Sequence, residues 1–255
     1  MTTRIDEITD GVYRISTFAP VGPPGGITFN QFLLLDEEPA LIHTGMPGHF
    51  ADTLAAATPV MDPRRLRWIT SNHASRPDEL GALDQWFGTA PHARVVHGYI
   101  ACFVHLSEVA PERIRSVADG ETVELGARRL RWMATPHVPG PWEAGFWFDE
   151  KDRILFTGDV FAQTGQATPT TTDDIVGPAV THDEGGRATA VTAATATTAR
   201  TLAQLEPSTL ALMHGPTFRG DGATALRSLA DHFEDRFRRE ADATLSTLAS
   251  QPSRC

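Results

Sequence analysis

Six side chains of the kinds that bind metal ions follow separate strand-like stretches of this 255-residue sequence. The apolar runs at residues 66–70, 130–134, 154–157 and 209–213 each end a few residues before one of them. Strand ends along one edge of a sheet are where a rigid scaffold presents side chains to a cleft. Imidazoles mixed with carboxylates bind divalent transition metals, and a high share of oxygen ligands suits iron or manganese at least as well as zinc. The candidate ligands are His73, Asp78, Glu79, His137, Asp159 and His214.

Each candidate also has a structural interpretation when it is taken alone. A histidine at a strand end is more often hydrogen-bonded within the fold than bound to a metal. Asp78 and Glu79 could simply stabilise the start of a helix, where carboxylates complement the helix dipole. Asp159, which follows Gly158, could be an aspartate in a turn. The occurrence of all of them in one chain, in this order, favours a metal site over these separate explanations.

The elements that must position these residues alternate between strand and helix signals. Strands are predicted at residues 11–16, 28–35, 40–43, 67–70, 94–97, 122–125, 128–133, 145–148, 154–156 and 209–213. Helices are predicted at residues 49–57, 79–87, 99–106, 187–205 and 222–246, and a polar loop at residues 164–186. This order predicts an α/β fold of the αββα type, with two face-to-face sheets and helices on the outer faces. A single domain is expected over residues 1–250, with a frayed tail at residues 251–255.

Composition excludes several classes of protein. A formal charge of −10 and the lack of a Lys/Arg cluster argue against a nucleic-acid partner. No apolar run is long enough to span a membrane, and the N-terminus lacks the apolar core of a signal peptide, so a cytoplasmic location is expected. Two cysteines, Cys102 and Cys255, cannot build a disulfide framework or a cysteine-ligated cluster.

The order of the candidate ligands resembles the metallo-β-lactamase superfamily. Its general pattern is H-x-[H/E]-x-D-H, followed by a His, an Asp and a His. The matching segments are NHASRPDELG at residues 72–81, TPHVPG at 135–140, LFTGDVF at 155–161 and ALMHG at 211–215. The PHVP and FTGD contexts are closer to the di-iron, oxygen-binding (flavodiiron-like) branch than to the zinc lactamases.

This resemblance implies two divalent metal ions, with iron favoured over manganese or zinc. One ion would take His73 and His137, the other would take Asp78, Glu79 and His214, and Asp159 would bridge them. The first motif departs from the pattern, because Ser75 or Arg76 occupies the place of its second ligand and Glu79 stands where most members have His. His43 replaces an Asp that is common in the early turn, and His43 and Trp142 are expected to face the substrate pocket.

Three functions follow from these observations. The first is a non-haem di-iron or mono-iron enzyme that acts on O2, NO or a small organic substrate. Its electrons would come from an external donor, because the chain shows neither a Gly-rich phosphate loop nor cysteines for an iron–sulfur centre, and no flavin or haem is expected.

The second is a metallohydrolase of an ester, lactone or thioester, with Asp78 as general base if it does not ligate. The third is a catalytically inactive binding protein. A homodimer is compatible with each of these three functions.

Overall fold

The computed structural model describes residues 1–108, 111–140, 142–187 and 189–249, and of residues 246–249 it describes the backbone alone. The tail expected at residues 251–255 lies outside this part of the chain. The described residues form two seven-stranded sheets. No helix in the described ranges combines the length and the apolar character needed to cross a bilayer.

The first sheet takes its strands in chain order. They are Thr2–Thr9 (β1), Val12–Ala19 (β2), Ile27–Leu34 (β3), Ala40–Ile42 (β4), Trp68–Thr70 (β5), Arg94–Gly98 (β6) and Ile114–Val117 (β7). β1 to β4 pair antiparallel, whereas β4 to β7 pair parallel. Parallel neighbours cannot be joined by a tight turn, so each parallel step requires a crossover segment.

The second sheet begins as an antiparallel meander and ends with a crossover. Its strands are Thr122–Glu124 (β8), Arg129–Ala134 (β9), Gly145–Asp149 (β10), Ile154–Gly158 (β11), Thr170–Thr171 (β12), Thr209–Leu212 (β13) and Thr217–Arg219 (β14). Their order in space is β12-β14-β13-β11-β10-β9-β8. β11 and β13 are parallel neighbours, so both strands end at the same edge of the sheet.

Helices cover the outer face of each sheet. They are Phe50–Ala57 (α1), Pro77–Leu80 (α2), Leu83–Thr89 (α3), Tyr99–Ala101 (α4), Val176–Gly186 (α5), Thr195–Ala203 (α6) and Gly222–Ala249 (α7). A cluster that includes Trp86 packs α1 and α3 on the first sheet, and a second cluster that includes Leu226 packs α5 to α7 on the second sheet.

A third apolar cluster fills the space between the two sheets. The Phe32 and Phe156 rings, one from each sheet, meet edge to face at 5.3 Å between centroids. Trp132 and Trp147 lie beside each other with centroids 4.9 Å apart. Fully burying a large apolar side chain contributes ~1.5–3 kcal/mol, so the side chains of this cluster together hold the sheets face to face. The predicted αββα sandwich is therefore confirmed.

Several predicted elements differ from the structure in bounds or in kind. Strand β1 was not expected, because its sequence TTRIDEIT is mostly polar and only Ile8 of it is buried. The helix expected over residues 79–87 is two short helices, α2 and α3. Strand β7 was also not expected, since its four residues are mostly half-exposed and carry little apolar pattern.

The region between β12 and β13 departs most from expectation. The loop expected at residues 164–186 contains helix α5, whose first amides donate to the carboxylate of Asp174. The helix expected over residues 187–205 is confined to α6, Thr195–Ala203. Thr192 and Thr195 accept hydrogen bonds from the Ala194 and Thr192 amides, and such local bonds compete with helix formation.

Candidate metal centre

Three of the predicted ligands converge at the edge where β11 and β13 end. Asp159 directly follows β11, His214 lies two residues after β13, and Asp78 is in the first turn of α2. Each offers one ligand atom, and these three atoms all lie within 4.8 Å of one another. Nε2 of His214 lies 3.3 Å from Oδ1 of Asp159 and 3.5 Å from Oδ2 of Asp78.

The remaining carboxylate oxygens of this group face Arg76. Nη1 of Arg76 lies 2.8 Å from Oδ2 of Asp159, and its Nε lies 3.7 Å from Oδ1 of Asp78. Each carboxylate therefore lies between an imidazole on one side and a guanidinium on the other. We call these four side chains, Arg76, Asp78, Asp159 and His214, the charge ring.

The charge ring shifts the pKa values of its members strongly. Burial would lower the pKa of His214, but the carboxylates of Asp159 and Asp78 outweigh burial and raise the pKa to about 10. Burial would raise the pKa of Asp159, but His214 and Arg76 hold this pKa at about 2. The pKa of Asp78 is also lowered, because His214 and Arg76 outweigh its burial. The metal-free ring therefore pairs two carboxylates with two cations near neutral pH.

Contacts from the first sheet fix the orientation of His214. Its Nδ1 lies 2.9 Å from the carbonyl oxygen of Thr28, which can only accept a hydrogen bond. Nδ1 therefore carries a proton, and Nε2 is the atom left to bind a metal. The buried side chains of Asn30 and Arg14 donate to the carbonyl of Gly215, at 2.8 and 3.0 Å, and so anchor the loop that carries the imidazole.

Asn72 connects the two sheets beneath Asp159. Its Nδ2 donates to the carbonyls of Gly145 and Phe156, at 2.7 and 2.9 Å. Gly158 has φ +53°, and a Cβ at this position would lie 2.9 Å from Cβ of Asn72. A glycine is therefore required where the chain turns into Asp159.

The other two predicted histidine ligands lie outside the converging group. Nδ1 of His73 lies 3.0 Å from Oγ of Ser75. His137 is exposed, with φ +66°, and its Nδ1 accepts a hydrogen bond from the amide of Trp142 at 3.1 Å. Among the described residues, the structure thus brings together Asp78, Asp159 and His214 of the four ligands predicted for one metal position, leaves Glu79 outside this group, and does not add His73 or His137 to it.

Glu79 and His43 form a buried layer behind the first motif. Oε2 of Glu79 accepts hydrogen bonds from the amides of Asn72 and His73, at 2.8 and 2.7 Å. Nε2 of His43 lies 2.9 Å from Oδ1 of Asn72 and 3.4 Å from Oε2 of Glu79. His43 is 0% exposed and therefore cannot make the direct contact with a substrate that was expected from the sequence. It can influence a substrate only through Asn72 and Glu79.

Trp142 lies at an opening beside this layer. It is 56% exposed and borders a cavity of about 250 Å³. The cavity walls combine apolar and polar groups: His73, Ala74, Ser75, Ile100, Ala101, His105, Trp142 and Glu143. His73 and Ser75 belong both to this cavity wall and to the first motif, whereas Asp78, Asp159 and His214 do not line the cavity.

A family model described as ODP family beta lactamase matches residues 27–215, about three quarters of the chain. The chain belongs to the ODP beta-lactamase family. The match begins at β3 and ends one residue after His214, so it includes every residue of the charge ring. The predicted membership in the metallo-β-lactamase superfamily, on its di-iron branch, is confirmed.

Relatives of this ODP-family chain include proteins named for their reactions. The nitric oxide reductase of Moorella thermoacetica is 25% identical over 192 residues, which cover 71% of this chain and 47% of the relative. The chain spans less than half the length of this curated relative.

Solved structures share the fold at low identity. The rubredoxin oxygen:oxidoreductase of Desulfovibrio gigas superposes with a TM-score of 0.77 at 19% identity, over 91% of this chain and 62% of the other. The flavodiiron protein of Giardia intestinalis gives a TM-score of 0.77 at 19% identity, over 91% of this chain and 60% of the other. This family member thus shares the fold of the matched part of these two chains, about three fifths of their length.

The donor set of this family member fits one divalent ion. Two carboxylates and one imidazole converge, and the buried Oδ1 of Asp159 makes no hydrogen bond among the described residues. Hard, oxygen-rich ligands of this kind favour iron or manganese. The residues do not fit a second ion in the same way, because the other oxygen of Asp159 is already paired with the guanidinium of Arg76.

Sequence reasoning missed the residues that hold this site together. Arg14, Asn30 and Asn72 act through hydrogen bonds to main-chain carbonyls, and the sequence pattern does not show which carbonyls they reach. Arg14 and Asn30 do carry a usable signal, because each is a polar residue that the alternation of its strand places among buried positions. Buried polar side chains within a strand are costly unless they are hydrogen-bonded, so such positions point to a structural contact.

Glu79→Ala is expected to lower the free energy of unfolding by about 3 kcal/mol, because two buried amides lose their acceptor. Glu79→Gln retains an acceptor oxygen and should keep most of this stability and the metal affinity. Urea unfolding measures the first effect and calorimetric metal titration the second. The exposed Glu108→Ala serves as the control. Loss of metal affinity in Glu79→Gln at unchanged stability would instead identify Glu79 as a ligand.

Proposed function

We propose that this chain is an oxidoreductase that reduces O2 or NO at a non-haem iron centre, with electrons from an external donor. The convergence of Asp78, Asp159 and His214 carries this proposal. The name of the Moorella relative supports NO as one substrate, and that of the Desulfovibrio protein supports O2 as the other.

The residues of the site have separate tasks in this function. Asp78, Asp159 and His214 would hold the iron, which would supply redox chemistry and open coordination positions. Thr28 and Asn30 keep Nε2 of His214 directed at the ligand group. Burial of Asp159 and His214 keeps bulk water from these ligands.

We assign the cavity beside the first motif as the entrance for a small, uncharged substrate. The cavity beside His73 has a volume of about 250 Å³ and a wall that includes Ile100, Ala101 and Trp142. Diatomic gases fit such a space and require no charged contact. We therefore assign Trp142 as part of the substrate entrance, while His43 acts on the site through Asn72 and Glu79.

Hydrolysis by a metal-bound water is the second candidate. In that reaction a carboxylate that does not ligate would serve as the general base. Both oxygens of Asp78 face charged partners in the charge ring, and this arrangement suits a ligand better than a base. Asp78 is therefore assigned as a ligand, and the names of the relatives favour the redox function.

The proposal is tested by loading the protein with Fe²⁺ under anaerobic conditions. An electrode then measures the consumption of O2 or NO in the presence of an excess of ascorbate and a phenylenediamine mediator, which react with O2 only slowly, and the rate of the protein-free mixture is subtracted. We expect consumption by the iron-loaded protein and at least about a hundredfold less by Asp159→Ala, because loss of one ligand removes the iron.

Zn²⁺-loaded protein is the matched control, since zinc would bind the same ligands and has no redox chemistry. Consumption of O2 and NO at the same rate by iron-loaded and zinc-loaded protein would contradict the proposal. Cleavage of a thioester or lactone by the zinc-loaded protein, without gas consumption by the iron-loaded protein, would establish hydrolysis instead.

A further inference from the structure

Arg76 lies where the bridging carboxylate would meet a second cation. Its Nη1 lies 2.8 Å from Oδ2 of Asp159, while Oδ1 of the same carboxylate faces His214. A carboxylate that bridges two metal ions uses one oxygen for each. Here one oxygen is left for a metal, and the other is engaged by a guanidinium that keeps its charge at any ordinary pH.

The main chain holds Arg76 in this place. Arg76 immediately precedes α2, and its carbonyl accepts hydrogen bonds from the amides of Glu79 and Leu80, at 3.1 and 3.0 Å. Pro77 occupies the first position of the helix, where its fixed φ is favourable. The side chain therefore begins from a defined point beside Asp78 and reaches across to Asp159.

The imidazoles predicted for a second ion lie outside the group of converging ligand atoms. His73 lies against Ser75, and His137 accepts from the amide of Trp142 in an exposed turn. A guanidinium supplies positive charge without requiring ligands. It also repels any divalent ion that approaches the same carboxylate oxygen.

We propose that Arg76 takes the place of one of the two metal ions, so that the centre binds a single divalent ion between Asp78, Asp159 and His214. The guanidinium of Arg76 pairs with the second oxygen of Asp159 and supplies the positive charge that a second ion would bring to that carboxylate. This inference rests on the proposed metal centre and not on the reaction at that centre.

The experiment measures how many ions bind and whether they interact. Mn²⁺ serves as the probe, because it prefers oxygen-rich ligands and its paramagnetic resonance distinguishes an isolated ion from a coupled pair. Wild-type protein is expected to saturate at one Mn²⁺ per chain with the spectrum of an isolated ion. Two ions per chain, or a coupled spectrum, would overturn the proposal.

Two substitutions separate charge from shape. Arg76→Gln removes the repelling charge and should tighten Mn²⁺ binding by about tenfold or more. Arg76→Lys keeps the charge and should bind within about threefold of the wild type. Arg65→Gln, an exposed residue at the opposite end of β5, controls for the change in net charge. Equal affinities in Arg76→Gln and the wild type, or a gain as large in Arg76→Lys or in Arg65→Gln, would overturn the proposal.

This outcome is independent of the redox function. A wild-type protein that binds one Mn²⁺, and whose iron form consumes neither O2 nor NO, would retain the single-ion centre and refute the proposed reaction. A wild-type protein that binds two ions and consumes either gas would refute the role of Arg76 and retain the reaction.

Discussion

Asp159→Ala is expected to weaken metal binding by at least about a hundredfold. Changes to groups that only orient a ligand already weaken binding by roughly 10–100-fold, and Asp159 is itself a proposed ligand. Both of its neighbours in the charge ring, Arg76 and His214, would also lose their partner. Titration calorimetry with Mn²⁺ or Fe²⁺ measures this loss directly.

The same substitution should change the stability of the metal-free protein only moderately. Removing one partner of a fully buried ion pair costs about 3–5 kcal/mol. The Arg76 side chain is 38% exposed and can turn toward solvent, and His214 can release its proton. We therefore expect a loss of about 2 kcal/mol in the free energy of unfolding.

Asp84→Asn, on the exposed face of α3, is the control for a lost carboxylate elsewhere. It should leave metal affinity and stability close to those of the wild type. If Asp159→Ala retained wild-type affinity, the centre would have to be built on other residues, and the assignment of the charge ring would be wrong.

Metal binding is expected to depend steeply on pH because His214 must lose a proton to bind a metal. Its pKa is raised to about 10, so at pH 7 the metal-free ring carries the imidazolium. Affinity should therefore rise about tenfold per pH unit between roughly pH 7 and pH 9. Calorimetry at pH 7 in buffers of different ionisation enthalpy should report about one proton released per ion bound.

The stability of the metal-free protein should fall between pH 7 and pH 9, where the metal affinity rises. The pKa of His214 is raised above its ordinary value of 6.5, so its contribution is complete below that pH and is lost as the pH rises toward about 10. The pKa of Asp159 is lowered from 3.8 to about 2, so its contribution is lost as the pH falls through this interval. Both contributions are complete between about pH 4 and pH 6.5.

His92→Gln, at an exposed position, should not alter the number of protons released. His214→Gln should abolish proton release together with most of the metal affinity. Affinity that stays constant from pH 7 to pH 9 would show that His214 is already neutral in the metal-free protein, and the charge ring would then have one cation instead of two.

The sequence predicted the fold because both sheets carry strong apolar strands with turn residues between them. Asp159 and His214 could be predicted as neighbours because each follows such a strand, and β11 and β13 then pair in parallel. Asp78 was expected near them through the resemblance, and the structure places it there.

Grouping His73 and His137 with these residues required knowledge that spacing does not contain. His137 adopts a left-handed backbone conformation that closes a turn with Trp142, and no pattern in the sequence shows where such a turn directs its side chain. The role of Arg76 was hidden for a related reason. A guanidinium in a ligand position is visible in the sequence, but its contact with Asp159 depends on where α2 begins relative to β11.

The contacts of Arg14 and Asn30 with the loop after β13 have a consequence for how the molecule assembles. These hydrogen bonds join residues about 180 to 200 positions apart in the chain. Closing such long loops is slow, because chain entropy must be lost before the contact forms. The imidazole of His214 can be oriented only after the two halves of the polypeptide have docked. The ability to bind a cation would therefore appear late in refolding, and its appearance would mark the point at which the native tertiary structure has formed.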